Sequence, residues 1–336
     1  MSRGILKNTK GQVALSAVAL SPRKLGGAIF RKTLMSVWSS VGIPLITGLI
    51  FLGLWSWAAA RIDTSLGKFP GPQQVFYQGR ELWQEHWTEK SKEKEFYKKQ
   101  TVENTRKLVE DPHAKIKVRK YTGKTTYLSQ IVTSLVTVFT GFVLASLVAI
   151  PLGIICGLNR TIMTALNPFI QIFKPVSPLA WLPLVTMVVS AVYTVQNGGL
   201  EKCFIISAIT VSLCSLWPTL INTAQGVASV DKDIINVSRV LQLGWFTHVF
   251  KIVLPASLPL TFTGLRISLG VGWMVLIASE MLAQNPGLGK FIWDEFQNGS
   301  SQSLARIMVA VLTIGVIGFI LDRVMVFLQK AMSFGR

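Results

Sequence analysis

Long apolar runs separated by short polar stretches dominate the chain. Residues 33–60, 125–159, 175–200 and 203–230 contain no Asp, Glu, Lys or Arg. Each exceeds the ~20 residues that a helix needs to cross the hydrocarbon core of a bilayer. Two further runs carry isolated charges: residues 258–282 hold Arg266 and Glu280, and residues 305–327 hold Arg306, Asp322 and Arg323. With the 175–200 run extended back to Ile162, through Lys174, the pattern predicts six membrane helices.

Two polar stretches interrupt this plan. The first, residues 228–255, reads ASVDKDIINVSRVLQLGWFTHVFKIVLP. Ile234, Val237 and Leu241 recur at helical spacing, with Asn236, Arg239 and Gln242 on other faces. Ser229 is placed to cap the helix start, and Asp231 and Asp233 complement its positive end. Gly244 is expected to stop the helix in a left-handed turn. A second short helix over residues 245–253 is expected to end against Leu254-Pro255. The implied shape is helix, bend, helix on the membrane surface.

The second stretch, residues 61–127, has two parts. Residues 77–87 predict an interfacial helix anchored by Trp83 and Trp87. Residues 88–124 are different, since 18 of these 37 are charged. Glu95/Lys99 and Glu103/Lys107 are spaced for pairs on a helix surface, and Pro112 is expected to end that helix. The stretch reads as a solvated excursion, or as a docking surface for a soluble partner or a positive field that concentrates anions.

Half of the 336 residues are hydrophobic, and the net charge is +18. That composition belongs to an integral membrane protein. The first 37 residues hold seven Lys/Arg and no acid, which predicts a cytoplasmic basic segment followed by an uncleaved first helix over residues 38–60. Six spans then put both termini and residues 228–255 in the cytoplasm. Residues 61–127 fall outside, although they hold fifteen Lys/Arg against nine Asp/Glu. Loops beyond ~60 residues cross largely regardless of charge.

Several chemistries are disfavoured. Cys156, Cys203 and Cys214 lie in apolar runs, and His86, His113 and His248 are scattered, so neither a disulfide nor a metal site is expected. Gly123-Lys124-Thr125 lacks the first glycine of a phosphate loop, since Val118 takes its place. Gly289-Lys290 has Gln284 in that slot and Phe291 where Ser or Thr is required. No nucleophile–base set stands out, and no basic module interleaved with aromatics suggests nucleic acid. No catalytic residue and no cofactor is expected.

A charge near the bilayer centre costs about 3 kcal/mol on insertion scales, so each one needs a reason. Lys174 precedes Pro175-Val-Ser-Pro178-Leu-Ala-Trp-Leu-Pro183, and three prolines in nine residues cannot form a straight helix. A broken helix presents free N–H groups where it restarts, and that end attracts an anion. Lys174, Ser177 and Arg266 are therefore candidates for an anion path. The competing reading has Lys174 and Arg266 snorkelling to the cytoplasmic interface. Glu280 lies farther out and reads as a structural or gating contact. Gly153, Gly157, Gly264, Gly270, Gly272, Gly315 and Gly318 read as helix-contact sites.

Residues 228–255 resemble the cytoplasmic loop of ATP-binding cassette (ABC) importer permeases, where E-A-A-x-x-x-G is followed by I-x-L-P. Ile252, Leu254 and Pro255 fall on I, L and P, Asn236-Val237-Ser238 on E-A-A, and Gln242 on the glycine, which Gly244 is placed to replace. Residues 134–159, 167–184 and 278–289 (ASEMLAQNPGLG), with Phe69-Pro-Gly-Pro-Gln-Gln-Val, are similar to the taurine/sulfonate/nitrate branch. The charged insertion resembles that of members serving nitrate, nitrite, cyanate or bicarbonate, above all the nitrate permease. The resemblance implies an all-α type I importer (MetI-like) transmembrane domain of about six helices, with a charged extracytoplasmic insertion at 88–124 and a permease core at 128–332. It also implies a multi-pass inner-membrane subunit without enzymatic activity. Its partners would be a second permease copy, two cytoplasmic ATPase subunits that grip residues 228–255, and a periplasmic solute-binding protein. Nitrate is the expected substrate, with bicarbonate on the same scaffold as the alternative. A gradient-driven anion transporter or channel and a membrane-anchored scaffold are the rival classes.

Overall fold

The computed structural model describes residues 38, 42–64, 67–111, 116, 118–194, 200–300 and 302–333. The basic segment 1–37, the beginning of the first expected span, Pro112 and His113 lie outside the described residues. The chain divides into two compact units, residues 1–61 and residues 62–336.

In the first unit, α1 (Ile43–Ala59) carries no charge and has Pro44 in its first turn, where the missing N–H costs nothing. At its end the Arg61 guanidinium lies 4.2 Å from the centroid of the Trp57 ring.

The second unit opens with a two-residue antiparallel ladder, β1 (Asp63–Thr64) against β2 (Gly67–Lys68). Then comes α2 (Pro72–Glu110), 39 residues without a break and ~58 Å long at 1.5 Å per residue. The two separate helices expected here are one, because strong helix formers run from Arg80 to Glu110 with no Gly or Pro between them. Surface pairs Glu95–Lys99 (2.7 Å), Glu103–Lys107 (2.7 Å) and Arg106–Glu110 (3.0 Å) form along it. Val75, Gln78 and Leu82 form its buried stripe.

The chain then runs back along α2. Tyr121 Oη donates to Glu89 (2.7 Å), Lys124 N–H donates to the same carboxylate (3.2 Å), and Gln100 Nε2 donates to the Arg119 carbonyl (3.1 Å). The Tyr121 hydrogen bond, then that of Lys92, holds Glu89 below the ordinary carboxylate range. The same contact raises the Tyr121 phenol.

The core is built from α3 (Tyr127–Leu158), α6 (Lys202–Ala228) and α9 (Leu254–Ala283), with α4 (Arg160–Phe173) and α5 (Pro178–Val192) between the first two in sequence. After α6 come α7 (Lys232–Val240), α8 (Trp245–His248) and a π-helical turn (Val249–Val253) that leads into α9. The chain ends with α10 (Leu288–Asn298) and α11 (Ser303–Ser333).

Small residues set how closely these helices approach. Gln130, Ser134, Gly141, Ala145, Ala149 and Gly153 line the buried stripe of α3. A Cβ at Gly153 would come within 2.7 Å of Thr223 Cβ on α6, and one at Gly141 within 2.7 Å of the Ala208 carbonyl. Apolar transfer gives no net drive between helices in lipid, so this backbone-level packing carries the association. Gly270 and Gly315, expected at contacts, face open space instead. Some buried hydroxyls find partners within the bundle: Thr210 and Ser215 donate to carbonyls one turn back, and Ser268 reaches across to Thr219 (2.7 Å).

Among the described residues, four helices can cross a membrane by length and composition: Tyr127–Leu158, Lys202–Ala228, Trp245–Ala283 and Ser303–Met332. The pair α4–α5, bent by 99°, makes a fifth if counted as one span. The first expected span is represented by α1, an apolar helix of 17 residues.

Candidate functional site: a polar elbow, a broken span and an outer lock

The elbow begins where α6 ends. Ser229 does not start the next helix: it closes α6, its hydroxyl donating to the Gly226 carbonyl (2.8 Å). Asp231 takes the capping role instead, its carboxylate accepting from Asp233 N–H (3.0 Å). The bend itself falls at Gln242, with φ +49°. Gly244, expected to be left-handed, is extended at φ −61° and ψ 154°. Gln242 is therefore left-handed at the position on which the resemblance places the loop's glycine. A side chain there costs about 1 kcal/mol or more, so the surrounding contacts must impose the turn. One such contact is a hydrogen bond between Ser238 Oγ and His248 Nδ1 (2.6 Å), which ties α7 to α8.

The expected stop at Leu254-Pro255 is absent. The helix passes through this pair because it widens just before it, with Leu254 N–H donating to the carbonyl of Val249, five residues back. The extra residue in the turn makes room for the ring of Pro255, which would clash in a regular α-helix. Val249 and Val253 are buried, and Ile252, Leu254 and Pro255 are half-buried. Asn236, Val237, Val240, Leu241, Trp245, Phe246 and Phe250 are exposed. The elbow thus presents an uncovered apolar row beside polar residues, the composition of a protein-contact surface.

The broken span lies between α4 and α5. Asn159 caps α4 by accepting from Thr161 N–H (2.9 Å), and Ser177 caps α5 by accepting from Leu179 N–H (3.3 Å). Lys174 and Ser177 are both exposed at the bend. Phe173 stacks on Trp217 at 6.2 Å and 7°, and lies 5.8 Å from Trp181. The indole N–H groups of both tryptophans are buried without an acceptor. Arg266, the third candidate, sits elsewhere: its Nη2 is 3.1 Å from Asp322 Oδ2 and its Nε lies on Oδ1, joining α9 to α11. Its charge is matched by that bidentate pair.

A third constellation surrounds Glu280, which is fully buried. Ser134 Oγ donates to its carboxyl oxygens (2.8 and 2.9 Å), and Gly289 N–H donates to Oε2 (2.9 Å). Leu288 N–H in turn donates to Ser134 Oγ (2.9 Å). Asn285, also buried, donates to Thr137 Oγ1 (3.2 Å). The turn after α9 is thereby locked onto α3. Spacing alone does not mark Ser134, Asn285 or Gly287. The signal lay in a lone acid in an apolar run followed by Asn-Pro-Gly-Leu-Gly. At the adjacent surface, Arg306 binds Glu85 of α2 (2.6 Å) and Glu295 of α10 (3.4 Å). Among the described residues no group of three or more His, Cys, Asp or Glu could hold a metal ion.

Apolar helices long enough to cross a bilayer, with one bent pair and a polar elbow, define a multi-pass membrane protein. The model of the family described as "Binding-protein-dependent transport system inner membrane component" matches residues 149–334. The chain belongs to that family. It is 38% identical over 202 residues to the bicarbonate transport system permease protein CmpB of Synechococcus elongatus, covering 60% of this chain and 68% of that one. It is also 38% identical over 201 residues to the nitrate import permease protein NrtB of Synechocystis, with the same coverage. Among solved structures, an inward-facing conformation of the MetNI methionine ABC transporter aligns with a TM-score of 0.51 at 13% identity, over 61% of this chain and 95% of that one. That likeness supports the type I importer fold.

Proposed function

We propose that the chain is the translocation subunit of an ABC importer for nitrate. The elbow carries this reading. Its left-handed Gln242, Ser238–His248 tie and uncovered apolar row form a surface that a cytoplasmic ATPase could grip. Asn236, Val237, Ser238, Gln242, Gly244, Ile252, Leu254 and Pro255 make up the coupling segment. Two permease copies, two ATPase subunits and a soluble binding protein complete the assembly. The acid-free basic N-terminus puts both termini and the elbow in the cytoplasm and α2 outside. Closure of the ATPases draws the two elbows together and rocks the rigid halves around a central site.

The relatives divide between nitrate and bicarbonate, so the anion has to be argued from chemistry. Nitrate only accepts hydrogen bonds, whereas bicarbonate also needs an acceptor for its O–H. Residues 160–194, which make the broken span, contain no carboxylate. They supply Lys174, Ser177 and the Trp181 indole, and Trp217 adds a further unpartnered donor. Arg266 is already paired and fixes the helices beside the path. In vesicles holding the complete importer, unlabelled nitrate is expected to suppress uptake of labelled nitrate far more than bicarbonate does. Lys174→Ala should raise KM about tenfold, the loss of ~1.4 kcal/mol of binding, with the amount of assembled protein unchanged. Preferential suppression by bicarbonate would move the assignment to that anion.

A further inference from the structure

Residues 88–124 hold twelve Lys/Arg against six Asp/Glu, and the structure shows how these charges are sorted. The returning segment covers one face of α2 through Glu89, Phe96 and Gln100. Glu95, Glu103 and Glu110 are each paired on the helix with Lys99, Lys107 and Arg106. At 100° per residue, the stripe opposite the returning segment carries Trp87, Lys90, Lys94, Lys98, Val102 and Val109, and no carboxylate. All six are exposed: Trp87 by 57%, Val102 by 62% and Val109 by 79%. Lys90, Lys94 and Lys98 stand four residues apart, a like-charge spacing that weakens a helix.

We propose that this stripe is a docking surface for an acidic face of the soluble binding protein. The proposal rests on the permease reading above, and on the dependence on a binding protein that the family's description states. Charge complementarity selects this occupant. A helix that lies on anionic lipid keeps its lysines at the flanks of an apolar sector. Here Lys94 and Lys98 stand in the middle of the stripe, between Trp87 and Val102, where a bilayer would have to bury them. An acidic protein surface meets the row with its carboxylates and receives Trp87 and the valines between them. The stripe extends ~33 Å along the helix and is ~10 Å wide, far less than the ~800 Å² per partner of a stable complex. It therefore suits a fast, salt-sensitive encounter from which a delivery protein can leave. The hydrogen bonds from the returning segment tie it to α2 beforehand, which lowers the entropy lost on docking.

The test uses the complete permease–ATPase complex in nanodiscs of zwitterionic lipid and the nitrate-loaded binding protein of its own transport system. The double variant Lys94→Glu/Lys98→Glu is expected to weaken binding about tenfold or more, and Lys94→Arg/Lys98→Arg to retain it. Basal ATP hydrolysis should be unchanged in both, which verifies the fold. Wild-type affinity should fall steeply from ~50 to ~200 mM salt. An unchanged Kd for the charge-reversal variant overturns the docking assignment while leaving the transport reading intact. An effect seen only when the nanodiscs contain anionic lipid points to a lipid surface and overturns it as well. A wild-type complex that neither binds the protein nor imports nitrate would remove the nitrate-import reading on which the proposal rests.

Discussion

Glu280→Leu is expected to leave little folded permease. Leucine fits the volume but accepts no hydrogen bond, so the Ser134 hydroxyl and the Gly289 N–H lose their acceptor inside the bundle. Each buried group left unmatched costs about 1–3 kcal/mol, and together they take a large part of the ~5–15 kcal/mol that holds a typical domain. The turn before α10 would also come loose from α3. Melting of the purified protein in detergent should fall well below that of the parent, and uptake should fall with it. Glu280→Gln keeps one acceptor for Gly289 and should recover a good part of both. A leucine variant that melts and transports like the parent would show that the lock is dispensable.

Phe246→Asp is expected to act in the opposite manner, with a sound fold and lost work. Phe246 is 71% exposed and meets Trp245 edge-to-face at 5.0 Å. A charge there disturbs no core, but it spoils the apolar row that an ATPase subunit would cover. ATP-driven uptake should drop at least about tenfold, ~1.4 kcal/mol of lost coupling, while the variant reaches the membrane in normal amounts and melts like the parent. Co-purification of the ATPase subunits should weaken in step. Normal uptake by this variant would remove the elbow from the coupling pathway.

The architecture was legible where physics is periodic. Uncharged runs located α3 and α6, apolar runs with isolated charges located α9 and α11, and the three prolines after Lys174 located the bend, because prolines spaced so closely cannot continue one straight helix. Punctuation was read less well. Ser229 and Asp231 are both good caps two residues apart, and only the packing of α6 decides between them. Gly244 drew the bend by its intrinsic freedom, yet Gln242 makes the turn because the Ser238–His248 contact fixes the geometry around it. Pro255 looked like a stop, and a widened turn let it through. The ion pairs Arg266–Asp322 and Arg306–Glu85 join residues 56 and 221 positions apart, and no local pattern can announce such partners.

The fit between Gly287 and the acid beside it has a genetic consequence. A methyl group added at 287 would overlap the Glu280 carboxyl, so each position sets what the other tolerates. In a saturation scan of the parent, alanine at 287 should score as severely harmful. In a background where Glu280 is shortened to aspartate, the same alanine should add much less harm than it does alone. The two positions are therefore expected to show strong epistasis, and scores collected one site at a time would misjudge both.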